Sequence, residues 1–147
     1  MVEIDILPTM LKQFRLSTMG RDLDEVISLA ENGAWSYRQF LQELCEREEH
    51  MRGERKLERL IKQSGLPQTK TLATLNTNEV PLNINKMLPD LLSGRFVESH
   101  CNLLAFGLPG RGKTHFLCAL GRELIMRHRC SVLFTRTFKF RLLDPVS

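Results

Sequence analysis

No run of about 18 apolar residues occurs in this chain of 147 residues, so a membrane-spanning helix is not expected. The start, Met1-Val2-Glu3-Ile4-Asp5, lacks the basic and then apolar regions of a secretory signal, which points to a cytoplasmic location. Cys45, Cys101, Cys118 and Cys130 show no C-x-x-C spacing, and ordinary buried or half-buried thiols are expected rather than a metal site or disulfides. Acid is scarce at one end only. Residues 100 to 147 hold 8 Lys+Arg against 2 Asp+Glu, whereas residues 1 to 99 hold 13 against 15. The basic excess comes from Arg111, Lys113, Arg122, Arg127, Arg129, Arg136, Lys139 and Arg141. It suits a polyanion, either a nucleotide or a nucleic acid, and equally a solvated basic face. The apolar fraction of 42% and charged fraction of 26% are those of a soluble globular chain, long enough for one domain or two small ones.

The first part reads as helical. Pro8 and Thr9 open a short segment through Phe14, and a second helix is expected from about Met19 to Glu31, burying Met19, Leu23, Val26, Ile27 and Ala30 and stopping at Asn32-Gly33. Ser36-Tyr37-Arg38-Gln39 is a capping box, in which hydroxyl and amide satisfy each other's backbone donors at a helix start. The long helix that it opens passes through Phe40, Leu41, Leu44 and Cys45 and ends at Gly65 and Pro67. Between Glu46 and Lys62 the acids and bases interleave, with Glu48 to Arg52 and Glu58 to Lys62 at i,i+4 spacing, which favours a solvated face over a nucleic-acid-binding surface built on Arg52, Arg55, Lys56, Arg59 and Lys62. From Leu66 to Ser99, Pro67, Pro81 and Pro89 punctuate a linker to about Pro81 and a short helix around Ile84 to Leu92, with Pro89 a candidate break point.

Gly107-Leu108-Pro109-Gly110-Arg111-Gly112-Lys113-Thr114 is the P-loop pattern G-x-x-x-x-G-K-[ST]. Its glycines let backbone N–H groups turn toward phosphate oxygens. Lys113 supplies a cation for the β/γ-phosphates and Thr114 a hydroxyl for Mg²⁺, while a helix start aims its free N–H groups at the same anion. The apolar run Leu103 to Phe106 before the loop predicts a buried parallel strand. After it, Phe116, Leu117, Leu120, Leu124 and Ile125 recur at helical spacing, and Arg127, His128 and Arg129 close that helix with cations. Ser131 to Thr135 predicts a second strand, giving one βαβ unit. The expected fold class is therefore α/β, with a helical amino-terminal domain (1–65), a linker and short helix (66–99), and an incomplete P-loop unit (100–147).

Several stretches between Leu7 and about Phe138 resemble the IstB-like ATP-binding proteins, the AAA+ helper ATPases of IS21-type insertion sequences. They are Leu11-Lys12-Gln13-Phe14-Arg15-Leu16, Glu54 to Lys62 with Gly65-Leu66-Pro67, Lys70-Thr71-Leu72 with Leu75, Phe96-Val97-Glu98 with Asn102, and above all Leu104 to His115 with Cys118-Ala119-Leu120-Gly121. His115 is shared with the related helicase loaders and replication initiators, for which a buried first-turn histidine is the plain role. The resemblance implies ATP and Mg²⁺ at Gly107 to Thr114, with DNA, the cognate transposase and further copies of the chain as partners. A helicase-loader-like ATPase fragment, or a helical module binding transposase or DNA without nucleotide, are the alternatives.

The resemblance also implies a Walker B strand, sensor residues and an arginine finger beyond the second strand. The chain stops before them, and Asp144, after only Leu142 and Leu143, is no substitute. A truncated helper with weak ATP binding and no hydrolysis is therefore expected. In the sheet that the family resembles, of order 5-1-4-3-2, the two expected strands would also lack the neighbours between them.

Overall fold

A computed structural model of the protein describes residues 6–76, 78 and 80–136. The readings of Met1–Asp5 and of the tail, including Lys139, Arg141 and Asp144, lie outside the described residues. The chain forms two compact units, Met1–Lys56 and Leu57–Ser147. Among the described residues six helices follow in order: α1 (Leu7–Gln13), α2 (Ser17–Asn32), α3 (Tyr37–Ser64), α4 (Leu82–Leu92), α5 (Arg95–Glu98) and α6 (Lys113–His128). None of them is long and apolar enough to cross a membrane.

In the first unit the local signals act as expected at two starts. Pro8 occupies the first turn of α1, where its missing N–H is no loss. At α3 the Gln39 N–H donates to Ser36 Oγ at 3.3 Å and the Ser36 N–H to Gln39 Oε1 at 2.8 Å, the reciprocal pair that the capping box predicts. Met19, Leu23, Val26 and Leu44 form the core, with Leu11, Leu16, Trp35 and Phe40 packed against it. Ile27, expected inside, is 38% exposed, because it sits one residue past the stripe that Leu23 and Val26 define.

Helix α2 has no side-chain cap of its own, since Leu16 stands at that position. Its cap comes from 30 residues away. Glu48, on α3 and only 3% exposed, accepts from the N–H groups of Thr18 at 2.7 Å and Met19 at 3.1 Å with one oxygen. Its other oxygen accepts from Arg52 Nε at 2.9 Å. Burial alone would push this carboxyl up, but the Arg52 guanidinium and the two N–H groups prevail and hold it below its ordinary value. Arg52 also donates to the Arg15 carbonyl at 2.7 Å, and Arg55 reaches the Ser17 and Thr18 hydroxyls, each at 3.2 Å. The interleaved charges are thus solvated only in part: Glu48, Arg52 and Arg55 bind α3 to the start of α2.

The second unit corrects the expected fold class. The expected βαβ unit is not formed, because among the described residues there is no strand. Asn102 to Phe106 and Ser131 to Thr135 leave the ends of α5 and α6 as irregular chain. A strand exists only through its ladder, and neither segment pairs with the other. The Phe134 N–H instead donates to the Ser64 carbonyl at 2.7 Å. Leu104, Phe106 and Leu133 are 72%, 87% and 63% exposed, the opposite of a buried parallel strand, since no sheet neighbour covers them. Leu103 packs inward, on a core of Leu91, Leu120 and Leu124 with Leu92, Phe96, Phe116 and Cys130, and Val132 is half-buried beside Gly121 of α6.

Helix α4 also differs from expectation, running through Pro89 without a break. Proline costs one internal N–H bond, but its own carbonyl still accepts from the Ser93 N–H at 3.1 Å, and Leu91 and Leu92 in the core hold the turn in place.

Replacing Glu48 by Ala should leave two buried N–H groups without acceptors and lower the unfolding free energy by about 2–3 kcal/mol in urea melts followed by circular dichroism. A loss under about 0.5 kcal/mol would remove the long-range cap from the account. The native carboxyl titrates below its unfolded value, so its contribution is complete above about pH 4.3 and is lost as pH falls through the lower folded value. Acid melts of Glu48→Gln should therefore lack part of the wild-type decline below that pH.

Candidate functional site

The sequence-predicted site residues span the end of the connection from α5 to α6, Gly107 to Gly112, and the first turn of α6, Lys113 and Thr114. Gly107, Gly110 and Gly112 take φ of 152°, 79° and 75°, a region that residues with a Cβ avoid. A Cβ at Gly110 or Gly112 would meet nothing within 4 Å, so the requirement there is conformational and not one of space. Leu108, Pro109, Gly110, Arg111 and Gly112 are all exposed. Gly112 is the residue before α6, and its carbonyl accepts the first internal bond of the helix from the Phe116 N–H at 2.9 Å.

Lys113 is the first residue of α6 and half-buried. Its ammonium donates to the carbonyls of Gly107 at 2.8 Å and Leu108 at 2.7 Å, which ties the helix start back to the beginning of the loop. Two of its three protons are used in this way. Thr114, next in the turn, is exposed. The N–H groups of this first turn have no acceptor within the helix, and the positive end of a 16-residue helix dipole lies here. At the other end Arg127 and His128 stand in the last turn, as expected, and His128 Nε2 lies 2.8 Å from the Leu92 carbonyl. The arrangement gathers a cation, a hydroxyl and free N–H groups at one exposed helix start, the chemistry that suits a phosphate.

Helix α6 is held by its buried residues Cys118, Ala119, Leu120, Gly121, Leu124 and Ile125. Leu117, expected to face inward, is 39% exposed, one position off that face. Burial pushes the Cys118 thiol up, against the pull of Lys70 and Arg122, so it behaves as a packing group. Cys130 is half-buried, whereas Cys45 and Cys101 are exposed. A shallow groove of about 490 Å³, lined by Asn85, Leu88, Pro89, Leu92, Ser93, Arg127 and His128, lies at the far end of α6 from the loop.

Two side chains of α6, His115 and Arg122, make contacts that the sequence pattern does not reveal. His115 Nε2 lies 3.0 Å from the Thr71 carbonyl and 3.1 Å from Thr74 Oγ1, and Arg122 Nη2 donates to the Pro67 carbonyl at 3.2 Å. Their signal was present in the Lys70-Thr71-Leu72 and His115 stretches, but nothing in the spacing joined the two.

Residues 9–144 match the family described as IstB-like ATP binding protein. Among curated relatives named as ATP-binding proteins of insertion sequences, one from Sinorhizobium fredii is 33% identical over 129 residues, 87% of this chain and 43% of the relative. Another, from Pseudomonas fluorescens, is 35% identical over 128 residues, 86% of this chain and 55% of the relative. A third, from Pseudomonas aeruginosa, is 33% identical over 125 residues, 85% of this chain and 46% of the relative. The chain spans about half the length of the curated relatives it matches.

Because the ammonium of Lys113 bonds only to exposed loop carbonyls, Lys113→Ala should change the unfolding free energy by no more than about 0.5 kcal/mol. Thermal melts check this, and a large loss would mean that Lys113 is a structural residue.

Proposed function

This chain belongs to the IstB-like ATP-binding proteins, and from that premise we propose that Gly107 to Thr114 bind the phosphates of ATP. Lys113 lies against the β/γ-phosphates, the N–H groups of the loop and first turn surround the oxygens, and Thr114 offers its hydroxyl to the accompanying Mg²⁺. The observation that carries this is the helix start itself: α6 begins directly after a left-handed glycine, with Lys113 as its first residue. Binding is weak, because the loop and the apolar residues Leu104 and Phe106 that precede it stand exposed.

In this proposal the protein is a helper of insertion-sequence transposition, with DNA, the cognate transposase and further copies of the chain as partners. The relatives' names, which speak of insertion sequences and ATP binding, support the setting. The basic residues Arg111, Arg122, Arg127, Arg129 and Arg136 supply a charge suited to polyanions. The division into 1–65, 66–99 and 100–147 is retained as part of the proposal, with the phosphate loop in the last segment.

Titration with a fluorescent ATP analogue and Mg²⁺ tests the site. Lys113→Ala should weaken binding by about tenfold or more, the loss expected when a charged phosphate contact is removed. Equal binding by wild type and variant would exclude the loop as the site.

A further inference from the structure

The first turn of α6 carries the two side chains assigned to the nucleotide, yet it has little to hold it. Its N–H groups have no helical acceptors, the loop before it is exposed, and the ammonium of Lys113 returns to that same loop. The anchors are the next two residues. Phe116 reaches the core, and His115, half-buried, turns the other way toward the segment 66–75.

That segment follows α6 for two turns. Its Thr71 carbonyl lies 3.0 Å from His115 Nε2, and its Pro67 carbonyl accepts from Arg122 seven residues later. Between the two, Leu66 rests against Gly121 at ordinary contact distance, its Cδ1 3.7 Å from where a Cβ would stand. A carbonyl can only accept, so the His115 proton resides on Nε2. Thr74 Oγ1, 3.1 Å from the same nitrogen, donates to the Thr69 carbonyl at 2.7 Å and accepts from the Thr71 N–H at 3.0 Å. The turn that presents the Thr71 carbonyl is therefore built around Thr74. Arg122 is the weaker anchor, since its Nε is buried without an acceptor among the described residues.

We propose that His115 is a positioning residue for the phosphate site: by donating from Nε2 to Thr71 it clasps the segment 66–75 along α6 and so fixes the turn that presents Lys113 and Thr114. This rests on the nucleotide reading above. Coupling between two sites is reciprocal, so whatever the clasp adds to ATP affinity, bound ATP must add to the docking of 66–75. The segment then senses the occupancy of the loop.

The test pairs ATP-analogue titration with hydrogen exchange over residues 66–76, on the full chain, for wild type, His115→Phe, His115→Gln and Thr74→Val. Gln keeps a donor near the Nε2 position and Phe has none. The expected result is that His115→Phe binds ATP about fivefold or more weakly and that ATP no longer slows exchange in 66–76, while His115→Gln recovers both. Thr74→Val, at an exposed site, keeps the fold if His115→Phe does not, and should show the same loss in smaller measure. ATP binding by His115→Phe at wild-type strength would overturn the proposal. So would ATP binding to wild type with no change in exchange over 66–76, which leaves the phosphate loop standing. Loss by His115→Gln as complete as by His115→Phe would reduce His115 to packing and also overturn it. Absence of ATP binding in every form, wild type included, would overturn the nucleotide reading and this inference together.

Discussion

The solvent-closed side of α6 organises everything assigned to the second unit. Leu120, Leu124 and Ile125 each contribute about 1.5–3 kcal/mol by burial, and Gly121 lets neighbouring chain approach the helix closely. Because that face is fixed, the helix can leave its first turn open to solvent with unbonded N–H groups, a state that an isolated helix end would lose by fraying. Gly112 supplies the left-handed residue that starts the helix abruptly. Lys113 and Thr114 are thereby placed where a phosphate would meet charge, hydroxyl and dipole together.

The first unit solves a helix start by different means. Leu16 cannot cap α2, and the missing acceptor arrives from Glu48, a buried carboxylate that Arg52 keeps charged. A local cap such as Ser36 with Gln39 defines one helix, whereas Glu48 also sets how α3 meets α2. The unit's specificity thus rests partly on a polar contact, with Met19, Leu23, Val26 and Leu44 supplying the apolar area.

Signals carried by neighbours in sequence were legible. The capping box, the proline at the start of α1 and the glycine after α3 each depend on a few adjacent residues, and each appears where the spacing places it. Signals that depend on distant partners were not. Glu48 and Arg52 at i,i+4 look the same whether the pair faces water or caps another helix. The apolar runs Leu103 to Phe106 and Val132 to Phe134 satisfy the pattern of buried strands, but a pattern supplies no ladder, and the described chain leaves Leu104, Phe106 and Leu133 exposed. Within the candidate site, the motif names the loop residues Gly107 to Thr114, whereas the contact of His115 with Thr71 and Thr74 depends on the fold of 66–75, which no spacing reveals.

Nucleotide phosphate is proposed to meet this chain at the start of α6. Amide resonances of an isotopically labelled sample, followed as Mg²⁺ and ATP are added, test it residue by residue. Gly110, Gly112, Lys113 and Thr114 should shift first and furthest, saturating together with the added nucleotide. Shifts confined to residues away from 107–116, or none at nucleotide concentrations in the millimolar range where weak sites fill, would contradict it.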